Sequence, residues 1–218
     1  MKRECSIVAI ALLVLTGISL AGVHIVGGTG YTGNAIPWWG SSYTAMRFQC
    51  IWYQTEIAEA GYVTKVELQF HSYSGTPPAT FNKVDMLLCH TKLSTITATF
   101  ADNYSGNTPV NVFSGDWTLK AGLAQNDWVI MCEPAAGKFK YNNTDNLLFE
   151  ISWEGVKPAT TGYFWRANAS QPGRLYATTK TATSGSVQAS QGEVARITIQ
   201  STQNIESTSI GNIRALFH

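Results

Sequence analysis

The chain has 218 residues, room for one β domain of ordinary size with a substantial core, and only 13% of them are charged. Its 15 Lys+Arg and 14 Asp+Glu leave a formal charge of +1, with no basic cluster, so the electrostatic footprint of a nucleic-acid binder is excluded. Four cysteines, none in a Cys-x-x-Cys pair, give no support to structural zinc.

Residues 1–21 read as a signal peptide. Lys2 and Arg3 make its basic start, Ile7 to Ile18 its apolar stretch, and Ser19-Leu20-Ala21 a small-x-small site, with cleavage expected after Ala21. The apolar stretch is short for a membrane span and no later segment would cross a bilayer, so the product is expected to be secreted, extracellular or at the cell surface. Losing Lys2, Arg3 and Glu4 balances the remainder at 13 basic and 13 acidic residues, and a neutral surface does not repel further copies of itself. Cys5 leaves with the leader. Cys50, Cys89 and Cys132 remain inside apolar runs, where buried free thiols and a disulfide are both open readings and no pairing follows.

Next comes a Gly/Thr-rich arm, residues 22–35, with one short strand in Val23-His24-Ile25-Val26. Gly28, Gly30 and Gly33 spell Gly-x-Gly-x-x-Gly directly after that strand, the pattern of a dinucleotide-binding turn. Such a turn needs a helix starting at its last glycine, so that amide groups and dipole meet the pyrophosphate. Here Pro37-Trp38-Trp39-Gly40 follows instead, and no βαβ alternation comes after it. No cofactor is expected.

Residues 36–200 read as a β-sandwich domain. From Tyr43 to Tyr53, Met46, Phe48, Cys50 and Trp52 share one parity, with Arg47 and Gln49 on the other. A connection that allows at most one helical turn, Thr55 to Ala60, leads into a cleaner alternation: Thr64, Val66, Leu68, Phe70 and Ser72 against Lys65, Glu67, Gln69 and His71. These two strands predict the inner wall. After the Ser74 to Pro78 loop, Val84 to Thr91 is apolar on both parities, as a central strand would be. Thr95 to Phe100 is disfavoured as helix by its threonines. Short strands are predicted at Val110 to Phe113 and Trp117 to Leu119, then at Asp127 to Cys132, Leu147 to Trp153, Tyr163 to Ala167 and Val194 to Gln200. Ala177 to Gly192 reads as a loop or an edge strand. The expected fold is all-β, an antiparallel jelly-roll-like β-sandwich with extended terminal arms, the second arm being the tail 201–218.

Chemistry is sparse. Glu56, Glu59, Glu150 and Glu154 supply carboxylates of the type a glycosidase pairs, but their positions at turns and on solvent parities read as solvated charges. His71 falls on a polar face and His90 in a buried strand, neither with a nucleophile to serve. Asp102-Asn103 and Asn143-Thr144-Asp145 lack the EF-hand spacing and read as Asx turns. No catalytic residue, cofactor or metal is assigned. Asn-x-Ser/Thr triplets at Asn103, Asn142 and Asn168, all in predicted loops, are possible glycosylation sites.

The order of local pieces is specific: Gly28-Thr29-Gly30, Ile36-Pro37, Tyr53-x-x-Glu56-Ile57, then Ala60-Gly61-x-Val63-Thr64-Lys65-Val66. Further on come Val84-x-Met86-x-Leu88-x-His90-Thr91, Val112-Phe113-Ser114-Gly115, Phe139-x-Tyr141-Asn142-Asn143-Thr144-Asp145-Asn146-Leu147-Leu148 and Phe164-x-Arg166. Over roughly residues 25–170 this resembles a jelly-roll-like β-sandwich module of bacterial secreted and cell-surface proteins. The resemblance implies a non-catalytic role. In relatives of that kind the module usually accompanies other domains, whereas here it is read as standing alone.

Two functions follow as expectations. The leading one is a structural subunit of an extracellular bacterial filament, its partners copies of itself, polymerising head to tail by strand donation. The expected donor is Val23, His24, Ile25 and Val26, freed by Gly28 and Gly30; the second choice is the tail, through Ile205, Ile210, Ile213 and Phe217. Adhesion, a biofilm matrix or a surface coat would be the use of such a fibril. The alternative is a carbohydrate-binding or adhesin module that stacks glycans on Trp38, Trp39, Tyr163 and Trp165.

Overall fold

The computed structural model describes residues 21–28 and 31–201. The expected leader, apart from Ala21, lies outside them, as do Gly30 and the tail residues Ile205, Ile210, Ile213 and Phe217. In chain order the elements are β1 (Ala21–Val26), β2 (Tyr31–Asn34), β3 (Ala45–Trp52), the one-turn helix α1 (Gln54–Ile57), β4 (Gly61–Ser74) and β5 (Ala79–Thr91). A 3-10 turn at Asp102–Tyr104 precedes β6 (Val110–Leu119), β7 (Trp128–Cys132), β8 (Lys140–Tyr141), β9 (Asn146–Glu154) and β10 (Val156–Lys157). The chain closes through β11 (Thr161–Ala167), β12 (Arg174–Ala177), β13 (Ser186–Gln188), β14 (Gly192–Glu193) and β15 (Ala195–Gln200).

These strands make two antiparallel sheets packed as a sandwich, as the period-2 patterns predict. The eight-stranded sheet runs β1-β15-β4-β11-β14, with β2 on β11 and both β7 and β8 on β4; the seven-stranded sheet runs β10-β5-β9-β3-β12-β13, with β6 on β5. The core lies between them. Met46, Phe48, Cys50 and Trp52 from β3 and Val66, Leu68 and Phe70 from β4 meet there, all essentially without solvent contact. The two short strands expected around Gly115 are one strand, β6, whose ladder with β5 continues through register shifts. Within Ala177 to Gly192, residues 186–188 do form an edge strand, β13.

The described residues of the stretch 22–35, expected as an extended arm, are built into this domain: β1 lies along β15 and β2 along β11. Two glycines permit the fit. Gly27 turns at φ 103° so close to β14 that a Cβ would sit 2.2 Å from the Glu193 carbonyl oxygen, and at Gly33 a Cβ would come within 2.6 Å of His71 Nδ1.

The outer face of the seven-stranded sheet is covered as well, which corrects two expectations. The segment after β5 folds back so that Ile96 and Phe100 form a second apolar cluster with Ile51, Cys89, Leu148 and Leu175. Beneath it Glu150 is 3% exposed rather than solvated. Its carboxylate accepts bonds from Arg47 Nε at 2.8 Å, Gln49 Nε2 at 2.6 Å and the Tyr104 hydroxyl at 2.6 Å. Asn103, read as a sequon in a predicted loop, is fully buried: its amide donates to Gln49 Oε1 at 2.9 Å and its oxygen accepts from the Thr97 amide at 2.8 Å. No glycan attaches there while the domain is folded.

Candidate functional site

With no cluster of reactive groups in the sequence, the features that set this surface apart are the edges of its sheets. β1 is bonded along one side only: Ala21↔Gln200 through Val26↔Ala195 pair it with β15, and no other strand among the described residues adjoins it. Its alternation is that of a half-buried strand. Val26 enters the core, His24 and Gly22 face Glu59, and Val23 and Ile25 point out at 58% and 62% exposure. His24 Nε2 lies 2.6 Å from Glu59 Oε2, and the Ser201 hydroxyl donates to the other carboxylate oxygen at 2.6 Å. These contacts, the Ser201 hydroxyl first, hold the Glu59 carboxyl below the usual glutamate range despite the opposing effect of burial.

From β1 a row of facing residues crosses the outer face of the sheet, Ile25↔Arg196↔Glu67↔Ile130, and ends on β7. Arg196 donates to both Glu67 oxygens at 2.6 Å and lies over the Trp128 ring at 4.9 Å, so the charges are matched and the apolar ends of the row are left outward. On β7 a register shift opposite Val66 and Glu67 puts both Met131 and Cys132 into the core and turns Ile130 out, 44% exposed. β7 has β4 as its one described neighbour. Beside it a cleft of about 360 Å³ opens towards β6, lined by Trp117, Leu123, Trp128, Val129 and Ile130 with Thr118 and Lys120 at its rim. The Trp117 indole donates to the Ile130 carbonyl at 3.2 Å across it.

The four aromatic residues expected to form a glycan platform do not come together. Trp38 is a core residue, fully buried, stacked on Trp117 at 4.2 Å and edge-on to Phe81 at 4.8 Å. Trp39 is partly buried and meets Tyr43 at 5.3 Å. Tyr163 and Trp165 do share the outer face of β11, where Trp165 donates to Asn126 Oδ1 at 2.9 Å and takes the His71 ring edge-on at 4.5 Å. Of the remaining sequons, Asn142 and Asn168 are exposed, bonded to Asp145 and Thr32. Cys50, Cys89 and Cys132 are free and buried. Burial pushes the thiols of Cys89 and Cys132 up to about 12 and that of Cys50 well above its ordinary value, the opposite of a reactive cysteine.

Sequence reasoning missed a buried arginine–glutamate pair. Arg174 Nη1 donates to Glu193 Oε1, both side chains fully buried, with Arg166 close enough to feel both charges. Burial pushes the Glu193 carboxyl up to about 7, against the pull of Arg174. Arg174 and Glu193 stand 19 residues apart and outside the alternating runs of the sequence, so no local signal marks the pair. His90, half-buried, stacks on Phe139 at 4.9 Å and accepts the Asn142 amide at Nε2, with burial lowering its pKa. Among the described residues no three His, Cys, Asp or Glu side chains gather as metal ligands, and no helix is long and apolar enough to cross a membrane. No family model and no curated protein matches the chain.

Proposed function

We propose that this protein is a structural subunit of an extracellular filament, assembling head to tail by contributing its N-terminal strand to the sheet of a neighbour. The observation that carries the reading is β1 itself. It is a strand with one side that no strand among the described residues pairs, and two outward apolar side chains, Val23 and Ile25, at the start of the described chain. Exposed, uncharged edge strands invite pairing with another chain, and natural sequences usually blunt them with lysine, proline or a bulge. None of these is present in Ala21–Val26. The leader read in residues 1–21 takes the chain to the compartment where such a filament would form, and the neutral charge balance removes long-range repulsion between subunits.

The glycan-binding alternative has less behind it, since only Tyr163 and Trp165 of its four aromatic residues lie on one face. Negative-stain electron microscopy of the purified protein and of a Val23→Lys/Ile25→Lys variant tests the main reading. Both side chains point to solvent, so the variant should keep the wild-type circular dichroism spectrum while losing its filaments. Isolated particles from the wild-type protein at every concentration would sink the proposal.

A further inference from the structure

We infer that the strand receiving β1 is β7 of the next copy, joined at the edge that no strand among the described residues pairs, so that a four-stranded antiparallel row repeats without interruption along the filament. The inference rests on the reading of β1 as the contributed strand and names its partner surface. Leu68 of β4 pairs with Ala195 of β15 and also with Val129 of β7, so β15 and β7 flank β4 on opposite sides. The local order is therefore β1-β15-β4-β7, and every step in it is antiparallel.

Direction follows from that count. In a row of four alternating strands the two outer ones run oppositely, so copies repeated in one orientation bring β1 against β7 antiparallel. The junction then has the same hydrogen-bond pattern as the sheet interior. A row of three or five would have made the same junction parallel. Because β1 and β7 are different surfaces, the contact is heterologous and leaves each end of the growing assembly open.

Length and side-chain placement agree with this. β1 has six residues and β7 five. Val23 and Ile25 lie on the same outer face as Trp128 and Ile130, as the facing row across the sheet requires. Side-by-side addition would therefore set apolar against apolar in cross-strand pairs. The Ile130 carbonyl is already bonded to the Trp117 indole, and a carbonyl oxygen has a second lone pair for an incoming amide.

Cross-linking between single-cysteine variants of the full chain tests the junction, since the native Cys50, Cys89 and Cys132 are buried. An Ile25→Cys protein is mixed with an Ile130→Cys protein under filament-forming conditions and treated with a short bis-maleimide. The expected result is a covalent dimer in the mixture that is lost when either variant is treated alone. A dimer from Ile25→Cys alone would instead mean a two-fold β1–β1 contact. A dimer from Ile25→Cys mixed with Arg196→Cys would mean that β1 has moved onto the neighbour's β15. Either result overturns the β7 junction and leaves β1 as the contributed strand. Filaments that form with no cross-link through position 25 in any mixture overturn both.

Discussion

Replacing Glu150 by alanine distinguishes a solvated charge from a buried one. A surface glutamate on an outer strand face would change stability by no more than about 0.5 kcal/mol when truncated. Glu150 instead binds the Arg47 guanidinium, the Gln49 amide and the Tyr104 hydroxyl beneath the 92–107 segment, and its side chain is 4% exposed. Truncation leaves Arg47 largely enclosed with its carboxylate gone, and breaking a buried pair from one side costs about 3–5 kcal/mol. Arg47 keeps some relief, because Nη1 still donates to the Ala182 carbonyl and its guanidinium lies 4.4 Å over the Phe100 ring. The lower half of that range is therefore expected. Glu150→Gln, which keeps an acceptor but not the charge, should cost less, about 1–3 kcal/mol. Urea denaturation followed by tryptophan fluorescence measures both, with the midpoint shift read at constant slope. A loss below about 1 kcal/mol for the alanine variant would refute the burial of this network and the closure of residues 92–107 over it.

The aromatic residues separate in the same way. Trp38→Ala should destabilise by about 3–5 kcal/mol through the cavity left against Trp117 and Phe81. On polysaccharide gels, by contrast, any glycan retardation should respond to Tyr163→Ala and not to Trp39→Ala; dependence on Trp39 would reverse the placement of that surface. Expressed in a host that glycosylates Asn-x-Ser/Thr, the folded protein should carry glycan at Asn142 or Asn168 and none at Asn103. Peptide mapping by mass spectrometry reads this directly, and occupancy at Asn103 would contradict its burial.

The parts of this fold that were legible in the sequence are those where one face is wet and the other dry. β3 and β4 announce themselves through Met46, Phe48, Cys50, Trp52 and Val66, Leu68, Phe70, because each alternate residue meets the opposite sheet. The outer coverings were not legible. Arg47, Gln49 and Glu150 form an ordinary polar parity, and only the return of residues 92–107, a long-range event with no periodic signature, turns that parity into a buried network. The same limit applies to Arg174 and Glu193, brought together by β11–β14 and β12–β3 pairing. Trp38 and Trp39, which the sequence offers alike as surface aromatics, both pack on the one core, Trp38 fully buried and Trp39 partly so.

Near the two ends of β1 stand two glutamates, Glu59 and Glu193, whose carboxyl groups are shifted in opposite senses. Gly22 and His24 rest on Glu59, whose carboxyl is held below the ordinary glutamate value of 4.5, chiefly by the Ser201 hydroxyl. That contribution is complete above 4.5 and disappears as pH falls through the lowered value. Gly27, just past the other end, packs on the backbone of Glu193, whose side chain is pushed up to about 7 by burial. A raised carboxyl stabilises the fold fully below 4.5 and loses its effect as pH climbs towards 7. The Arg174 charge opposes but does not cancel the burial, and Arg166 adds a smaller pull in the same direction as Arg174. The two carboxyls together therefore favour the folded domain, β1 included, most in the mildly acidic window just above 4.5 and less at neutrality. Hydrogen exchange of the β1 amides, corrected for intrinsic rates, should show protection falling between pH 5 and pH 7.5, with Glu193→Gln flattening that fall. Protection that stays flat over this interval in the wild-type protein would mean that Glu193 is ionised throughout and that the ion pair, not the neutral acid, is what the fold retains.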